Sequence, residues 1–398
     1  MKRYDEMTST PEAVWFSSIP STWRATKIRE LFSERNTKVS DKDYPALSVG
    51  KMGIVPQLDT AVKTDNGDNR KLICKGDFAI NSRSDRKGAG GISDFDGSCS
   101  LIITVLKPHK ELNSRFYHYL LRSHYFSEEY YRNGKGLVSD LWTTKWDTMQ
   151  NIYIPVPPSS EQDQIVRYLD WQTSRINKLI NGYKRQIELL EERKRTVTFY
   201  SVVYGLNHNI EMKDSIIPWI DHIPAHWSVK NLAQLFTQVK CKNTNLYEKN
   251  LLSLSYGKIK RRNIDATGGL LPESFEGYNI IEKDDIVLRL TDLQNDHKSL
   301  RTGIATERGI VTSAYVTIRN FSENNPQYLH YYLHAFDLNK GFYNVGASGV
   351  RQSLNWDNIR TLQILLPPLN EQNQIVDYIN RASTKIDEIK KTYEKKIE

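Results

Sequence analysis

Apolar residues recur at helical spacing in two long segments, one after residue 159 and one after residue 369. In the first segment, alternating steps of four and three residues from Ile165 to Val197 fall on an apolar side chain at seven of ten positions. Lys, Arg and Glu fill many of the positions between them. Apolar residues that repeat every 3.5 positions among charged ones predict a coiled-coil seam.

The second segment carries the same stripe, with six apolar residues at the seven positions that start at Ile375. Each helix therefore has an apolar face that needs cover, and we expect the two helices to pair as an antiparallel coiled coil. The predicted seam residues are Ile165, Leu169, Ile176, Leu179, Tyr183, Leu190, Val197, Ile375, Ile379, Ile386, Ile389 and Tyr393.

An alternative interpretation is that these segments are ordinary core helices of two separate domains. Their length disfavours it, because no proline and no strong breaker except Gly182 lies between Ser159 and Tyr204. The first helix can then run for about 45 residues, whereas helices of globular proteins average about 12. A pair of prolines precedes each helix, and Ser159-x-x-Gln162 has the form of a capping box, which predicts a helix start at this point.

The chain outside the long helices reads as two compact domains, centred on residues 30–145 and 235–355. Short apolar runs separated by Gly, Asp and Asn predict strands and turns there. One helix is predicted in each domain, at Ser114–Ser123 and Pro326–Phe336. We therefore predict an α+β fold with a first domain at 1–158, a central long helix at 159–205, a second domain at 206–368 and a C-terminal long helix at 369–398.

The two domains are predicted to be homologous, because the chain aligns with itself. The string W-x3-I-P-x2-W-x7-L-F begins at Trp15 and again at Trp219, 204 residues later. The string W-D-x9-P-P-x2-E-Q-x-Q-I-V-x-Y begins at Trp146 and again at Trp356, 210 residues later. The segments between these blocks have only a few residues in common, so each half has similar ends and a divergent middle.

Composition places the chain among folded proteins with a modest positive charge. It has 55 Lys and Arg against 47 Asp and Glu, a net charge of +8, and 8 Trp, 22 Tyr and 12 Phe for building cores. No apolar run is long enough for a membrane span or a signal peptide, so we expect a cytoplasmic protein without membrane contact. Cys74, Cys99 and Cys241 lack the spacing of a disulfide framework or a zinc site, and we expect them to be buried small apolar residues.

Motifs of catalysis are weak in this sequence. His330 and His334 have the spacing of a zinc-binding helix, but Tyr331 stands where the general-base Glu belongs, which favours a structural pair. The glycine-rich stretch 87–91 lacks the order of a phosphate-binding loop and reads as a turn. We therefore expect no catalytic residue, metal or cofactor on this chain itself.

Nucleic-acid binding is better supported, because basic, aromatic and small polar residues cluster in both divergent middles. Lys and Arg neutralise phosphates, Arg also pairs with guanine, and Gln pairs with adenine. The predicted DNA-binding residues are Arg83, Arg86, Lys87, Arg132, Lys135, Thr143, Lys145, Lys258, Lys260, Arg261, Arg289, Arg301, Arg351 and Gln352.

Taken together, these motifs strongly resemble the specificity subunit of type I restriction-modification systems, over essentially the whole chain. The resemblance rests on I-P-x2-W motifs at Ile19 and Ile223, and on P-P-x2-E-Q motifs at Pro157 and Pro367 that open the long helices. It implies a non-catalytic reader of double-stranded DNA, in which each domain binds one half of a split site and the paired helices set the distance between the halves.

The resemblance also implies partners. Two modification subunits would dock on the helices and methylate adenine with S-adenosylmethionine, and restriction subunits would add DNA cleavage that depends on ATP and Mg²⁺. Those cofactors would belong to the partner subunits. Two other functions stay open from the residues: an autonomous site-specific DNA-binding protein, and a coiled-coil scaffold without an associated enzyme.

One departure concerns the seam. The second helix stops about 15 residues short of its counterpart. We therefore expect the distal seam of the first helix, around Val197 and Phe199, to lack cover from this chain and to contact a partner subunit or a missing segment.

Overall fold

The computed structural model describes residues 6–58, 67–136, 142–207, 209–263, 274–293, 300–345 and 353–398. The chain divides into two compact units, Met1–Asn177 and Lys178–Glu398. We call these units the first repeat and the second repeat and describe each by itself.

Short strands and short helices build the first repeat. Its strands are β1 (Met7–Ser9), β2 (Ser18–Pro20), β3 (Arg24–Lys27), β4 (Phe32–Glu34), β5 (Lys38–Val39), β6 (Leu47–Gly50), β7 (Gly53–Pro56), β8 (Arg70–Ile73), β9 (Phe78–Asn81), β10 (Gly90–Ile92), β11 (Gly97–Cys99), β12 (Ile103–Pro108) and β13 (Tyr153–Val156). Its helices are α1 (Ser114–Leu120), α2 (His124–Arg132) and α3 (Trp146–Met149), and the long helix α4 (Ser159–Tyr204) starts here.

Two antiparallel sheets carry the core of the first repeat, in the strand orders β10-β9-β12-β4 and β11-β8-β5. Strand β9 is buried on both faces, because side chains alternate along a strand. Phe78 and Ile80 pack with aromatic residues of α1 and α2, whereas Ala79 packs with Ile73 and Cys99 on the other side. The two-sided burial explains why this strand reads as a continuous apolar run.

The second repeat has the same order of elements. Its strands are β14 (Met212–Asp214), β15 (His222–Pro224), β16 (Ser228–Asn231), β17 (Phe236–Gln238), β18 (Leu252–Ser255), β19 (Lys258–Arg261), β20 (Asn279–Ile281), β21 (Ile286–Leu288), β22 (Thr302–Ile304), β23 (Gly309–Val311), β24 (Val316–Asn320) and β25 (Gln363–Leu366). Its helices after α4 are α5 (Pro326–Leu338), α6 (Gly341–Asn344), α7 (Trp356–Ile359) and α8 (Leu369–Ile397).

A four-stranded sheet, β17-β24-β21-β22, matches the sheet of the first repeat strand for strand. Ile286 and Leu288 face the helices, and Val287 faces a smaller cluster on the opposite side. The predicted α+β class and the two long helices are confirmed. One predicted helix is different: Ser114–Ser123 ends at Leu120, because the Ser123 side chain accepts a hydrogen bond from the Phe126 amide and starts the separate helix α2.

The two sequence blocks shared by the repeats meet in the structure. The Trp23 indole N–H donates to Glu161 at 2.9 Å, and the Trp227 indole N–H donates to Glu371 at 3.1 Å. Strand β3 pairs with β13 and β16 pairs with β25, so the chain entering each repeat lies beside the chain leaving it. We call this arrangement of tryptophan, glutamate and strand pair the frame.

The glutamine of each P-P-x2-E-Q motif also belongs to the frame. Gln162 donates its side-chain N–H to the Pro157 carbonyl at 2.9 Å, and Gln372 donates to the Pro367 carbonyl at the same distance. The expected capping box is therefore wrong in its contacts, because Gln162 bonds to the chain before the helix and Ser159 is already helical. The glutamine ties the helix start to the preceding strand.

Within the second repeat, α4 and α8 run antiparallel, as predicted. Tyr183 stacks on Tyr393 with 5.3 Å between ring centroids. Lys194 bonds to Asp387 at 2.8 Å. Residue numbers therefore increase along α4 while those of the contacting residues on α8 decrease, which makes the pair antiparallel. A further ion pair joins Glu191 to Lys390 at 2.5 Å.

The expectation about the uncovered seam is wrong. Phe199 packs against the core of the second repeat and contacts the rings of Tyr204 and Trp219, and Val197 is half-buried. The exposed seam residues are instead Ile176 at 55% and Leu179 at 58% exposure. The core of the second repeat covers the last turns of α4.

Other seam residues also have different partners from those predicted. Ile375 and Ile379 are buried in the core of the second repeat, and Ile165 packs against the core of the first. The first turns of both long helices therefore belong to their domains. Leu169, Leu190 and Ile389 are half-buried, and Ile386 is buried.

The cysteines differ in their surroundings, although all were expected to be buried. Cys99 is buried, Cys74 is half-buried and Cys241 is exposed. Burial raises the pKa of the Cys99 thiol to about 12.

A buried aspartate anchors the central sheet of each repeat, but its arginine partner comes from a different strand. Asp77 before β9 accepts two hydrogen bonds from Arg35, at 2.6 and 3.1 Å. Asp285 before β21 accepts two from Arg319 of β24, both at 2.7 Å. Each aspartate also accepts from a backbone N–H of its own turn, that of Cys74 in the first repeat.

We expect Asp77→Ala to lower the free energy of unfolding of the first repeat by about 3 kcal/mol, because it leaves a partly buried guanidinium without its carboxylate. Urea denaturation of the full chain measures this. Asp68→Ala is the control, since Asp68 pairs with Lys42 at the surface and such pairs contribute about 0.5 kcal/mol. Equal destabilisation by both variants would contradict the anchoring role.

Candidate DNA interface

Three of the predicted DNA-binding residues meet in the first repeat. Thr143 forms isolated β-bridges with both Arg83 and Lys135. The Thr143 N–H donates to the Lys135 carbonyl at 3.0 Å, and the Lys135 N–H donates back at 2.9 Å. Both cationic side chains are exposed and form no ion pair with the described residues, so this edge presents two free positive charges.

A cleft of about 530 Å³ adjoins this edge and combines charged with aromatic side chains: Trp15, Lys87, Tyr125, Glu128, Glu129, Tyr131, Arg132 and Trp142. Lys87 bonds to both carboxylate oxygens of Glu128, at 2.7 and 2.8 Å. Arg132 bonds to Glu129 at 2.8 and 3.0 Å. The hydrogen bond from Lys87 holds the pKa of Glu128 below its usual range.

The cations of the cleft are therefore neutralised within the chain, unlike those at the Thr143 edge. Arg86 is exposed, and its Nε lies 3.5 Å from the Asp85 carboxylate. Lys145 is exposed at the start of α3 and has no ion pair within the described residues. The aromatic rings of the cleft offer surfaces on which bases can stack.

In the second repeat, Lys258, Lys260 and Arg261 lie on the hairpin of β18 and β19. All three are exposed. Arg261 forms two hydrogen bonds with Glu307, one of them at 2.7 Å, and this pairing lowers the pKa of Glu307. Lys258 and Lys260 form no ion pair with the described residues, so they are available to a phosphate or a base.

Arg301 is not a DNA contact, which corrects the prediction. Its side chain is fully buried, with a guanidinium that donates to the carbonyls of Arg289 at 3.1 Å and Thr291 at 2.8 Å. It also donates to the Tyr343 hydroxyl at 3.0 Å. Nothing in the sequence indicated this, because arginine is rarely fully buried.

The remaining predicted residues divide into two groups. Arg289 is half-buried, and its N–H donates to the Arg301 carbonyl at 2.8 Å. Arg351 and Gln352 lie outside the described residues. The position equivalent to the Thr143 edge is nevertheless present in the second repeat, where Thr291 bridges Ser353.

The histidine pair lies in the interior of the second repeat. The rings of His330 and His334 stack with 5.9 Å between centroids, and His334 Nδ1 lies 3.2 Å from the Thr302 hydroxyl. Burial lowers the pKa of His330 to about 3 and that of His334 to about 4, so both rings are neutral near pH 7. The described part of the chain holds no group of three His, Cys, Asp or Glu arranged for a metal ion.

Both long helices expose a tyrosine at the same position near their starts, which is a candidate partner interface. Tyr168 on α4 and Tyr378 on α8, 210 positions apart, are each about half exposed. Trp171 is exposed beside Tyr168 and carries the Arg175 guanidinium 4.6 Å from its ring centroid. The repeated sequence string ends at Tyr168 and Tyr378, but repetition alone did not indicate that these tyrosines are exposed.

No helix among the described residues is long and apolar enough to cross a membrane.

We expect Arg301→Met to lower the free energy of unfolding of the second repeat by about 3 kcal/mol, because it leaves several buried carbonyls without a donor. Arg83→Met should change stability by less than about 0.5 kcal/mol, since Arg83 is exposed. Chemical denaturation measures both values, and DNA titration of the folded proteins measures binding. Weaker DNA binding by folded Arg301→Met than by Arg83→Met would contradict the structural role.

Comparison with known proteins is consistent across sequence and structure. The family model for the type I restriction modification DNA specificity domain matches residues 20–189 and again 224–398. A chain of Methanocaldococcus jannaschii, assigned as the specificity subunit of the type I restriction enzyme MjaX, is 21% identical over 96% of this chain and 91% of its own length.

A solved structure shares the fold. A chain from work on complex assembly and conformational transition of the type I R-M system aligns with a TM-score of 0.62 and 17% identity, over 95% of this chain and 94% of its own. The HsdS subunit from Thermoanaerobacter tengcongensis aligns with a TM-score of 0.48 and 16% identity, over 95% of this chain and 96% of its own.

Proposed function

The chain belongs to the type I restriction-modification DNA specificity family, and from this premise we propose that it reads a bipartite site on double-stranded DNA, one half-site with each repeat. The family supplies sequence recognition and leaves catalysis to companion subunits. The observation that carries the proposal is the twofold match of the family model, one match to each repeat. Two repeats with the same frame can present two readers to one DNA molecule.

The exposed cations support DNA as the ligand. Arg83 and Lys135 in the first repeat, and Lys258 and Lys260 in the second, form no ion pair with described residues. Each phosphate contact by such a side chain releases counterions and adds a salt-dependent increment to affinity. Linking two weak readers in one chain raises the effective concentration of the second after the first has bound.

The partners follow from the same proposal. Two modification subunits dock on the long helices and carry S-adenosylmethionine for adenine methylation, and restriction subunits carry ATP and Mg²⁺ for cleavage. The complex works in the cytoplasm, and the helices set the spacer between half-sites. The recurrence of Tyr168 as Tyr378 supports two copies of one partner, because identical subunits need two similar surfaces.

Genome-wide mapping of N6-methyladenine tests the function. Cells that carry this chain with a modification subunit should contain a methylated split motif, and deletion of this chain alone should abolish that motif. A control strain that lacks only the restriction subunit should keep the motif. Methylation that is unchanged by deletion would remove the specificity role and favour an autonomous DNA-binding protein.

Stoichiometry tests the helix faces. We expect Tyr168→Asp or Tyr378→Asp to reduce the number of bound modification subunits from two to one, and the double variant to abolish binding, as measured by native mass spectrometry. Tyr247→Asp is the matched control, since Tyr247 is an exposed tyrosine outside the long helices. Two subunits bound to the double variant would contradict this interface.

A further inference from the structure

Each repeat holds one hairpin of the same geometry, and the two hairpins differ sharply in surface chemistry. Strands β6 and β7 pair from Leu47↔Pro56 to Gly50↔Gly53, and β18 and β19 pair from Leu252↔Arg261 to Ser255↔Lys258. Both have four-residue strands and a two-residue turn. Each forms a two-stranded sheet of its own. We call them hairpin 1 (47–56) and hairpin 2 (252–261).

The inner face of each hairpin is seated on the domain in the same way. A Cβ added at Gly97 would lie 2.7 Å from the Leu47 side chain, and one added at Gly309 would lie 2.6 Å from Leu252. Only glycine permits so close an approach at these two positions. On the inner face of hairpin 1, Ile54 is buried. On the inner face of hairpin 2, Ile259 packs against the core of the second repeat. The two hairpins therefore occupy equivalent positions, and each packs closely on its own repeat.

The outer faces differ. Side chains alternate across a strand, so Ser253, Ser255, Lys258 and Lys260 share the outer face of hairpin 2. The equivalent positions in hairpin 1, by strand pairing, are Ser48, Gly50, Gly53 and Val55. Hairpin 2 thus presents two exposed lysines at positions where hairpin 1 has the buried Gly53 and the exposed Val55.

The turn of each hairpin carries a highly exposed side chain. Tyr256 occupies the turn of hairpin 2 with 82% exposure and a φ of +49°, which is unusual for a residue with a side chain. Met52 occupies the turn of hairpin 1 with 90% exposure. A large apolar or aromatic side chain therefore projects from the tip in both repeats.

We propose that these hairpins are the elements that distinguish the two half-sites, with hairpin 2 reading guanine through Lys258 and Lys260 and hairpin 1 contacting thymine methyl groups through Met52 and Val55. This inference rests on the proposed function. A two-stranded β-ribbon fits the major groove, where guanine presents two acceptors, O6 and N7, and thymine presents its methyl group. Hairpins at equivalent positions with different side chains are what two readers of different sequences require.

Arg261 does not belong to the outer face of hairpin 2 that we propose contacts DNA. It lies on the strand of the two lysines but points to the other face, where Glu307 neutralises it. Lys258 and Lys260 have no such partner within the described residues. The cations able to enter a groove are therefore those of the outer face.

Selection of DNA duplexes from a random pool by the full-length chain tests the inference. The unaltered chain should select a split motif. Lys258→Ala/Lys260→Ala should lose guanine preference in one half-site and keep the other half-site. Met52→Ala/Val55→Ser should relax thymine preference in the half-site that the lysine variant keeps.

The matched control is Lys230→Ala/Lys283→Ala, which removes two exposed lysines of the second repeat outside hairpin 2 and changes net charge equally. It should keep both half-sites. If the hairpin 2 variant selects the same motif as the unaltered chain, or if the control loses the same guanines, the hairpin assignment is wrong while DNA reading stands. If the unaltered chain selects no motif, the proposed function and this inference both fail.

Discussion

The hydrogen bond between a tryptophan indole and the first-turn glutamate of a long helix holds each repeat closed. In the first repeat it joins Trp23 to Glu161, and in the second it joins Trp227 to Glu371. These residues are 138 and 144 positions apart, so the bond brings the two ends of a domain together. The adjacent strand pairs and the glutamine contacts then determine where each helix starts.

The frame also reaches the end of α4. Gly205 has a φ of +77°, and a Cβ there would lie 3.1 Å from both Glu371 and Trp227. A glycine in the left-handed region commonly ends a helix, and here it lets the helix end against the frame of the second repeat. The end of α4 therefore lies close to the glutamate in the first turn of α8.

A fixed frame leaves the rest of each domain free to change its surface. The buried aspartates show this inside the fold, since Asp77 and Asp285 keep their place while the arginine comes from different strands. The hairpins show it outside, where glycine and valine in one repeat replace two lysines in the other. A protein that reads two DNA sequences needs this combination of constant support and variable contact surface.

Sequence alone determined the duplication, the α+β class, the two long helices and the family, because these depend on local periodicity and on motifs repeated at fixed offsets. It also located most of the exposed cations, since charged residues in loops are usually solvated. It did not determine which face of a helix is covered: Phe199 is covered and Ile176 is exposed, contrary to expectation. Nor did it reveal that Arg301 is buried.

Only the tertiary structure decided those points. The cover over Phe199 comes from the core of the second repeat, and the periodicity of a helix does not show what packs against it. The burial of Arg301 depends on carbonyls contributed by Arg289 and Thr291, which meet it only when the strands have paired. The periodicity of a sequence describes one helix or strand at a time. The burial of an apolar side chain or of a charged group depends on two elements that pack together.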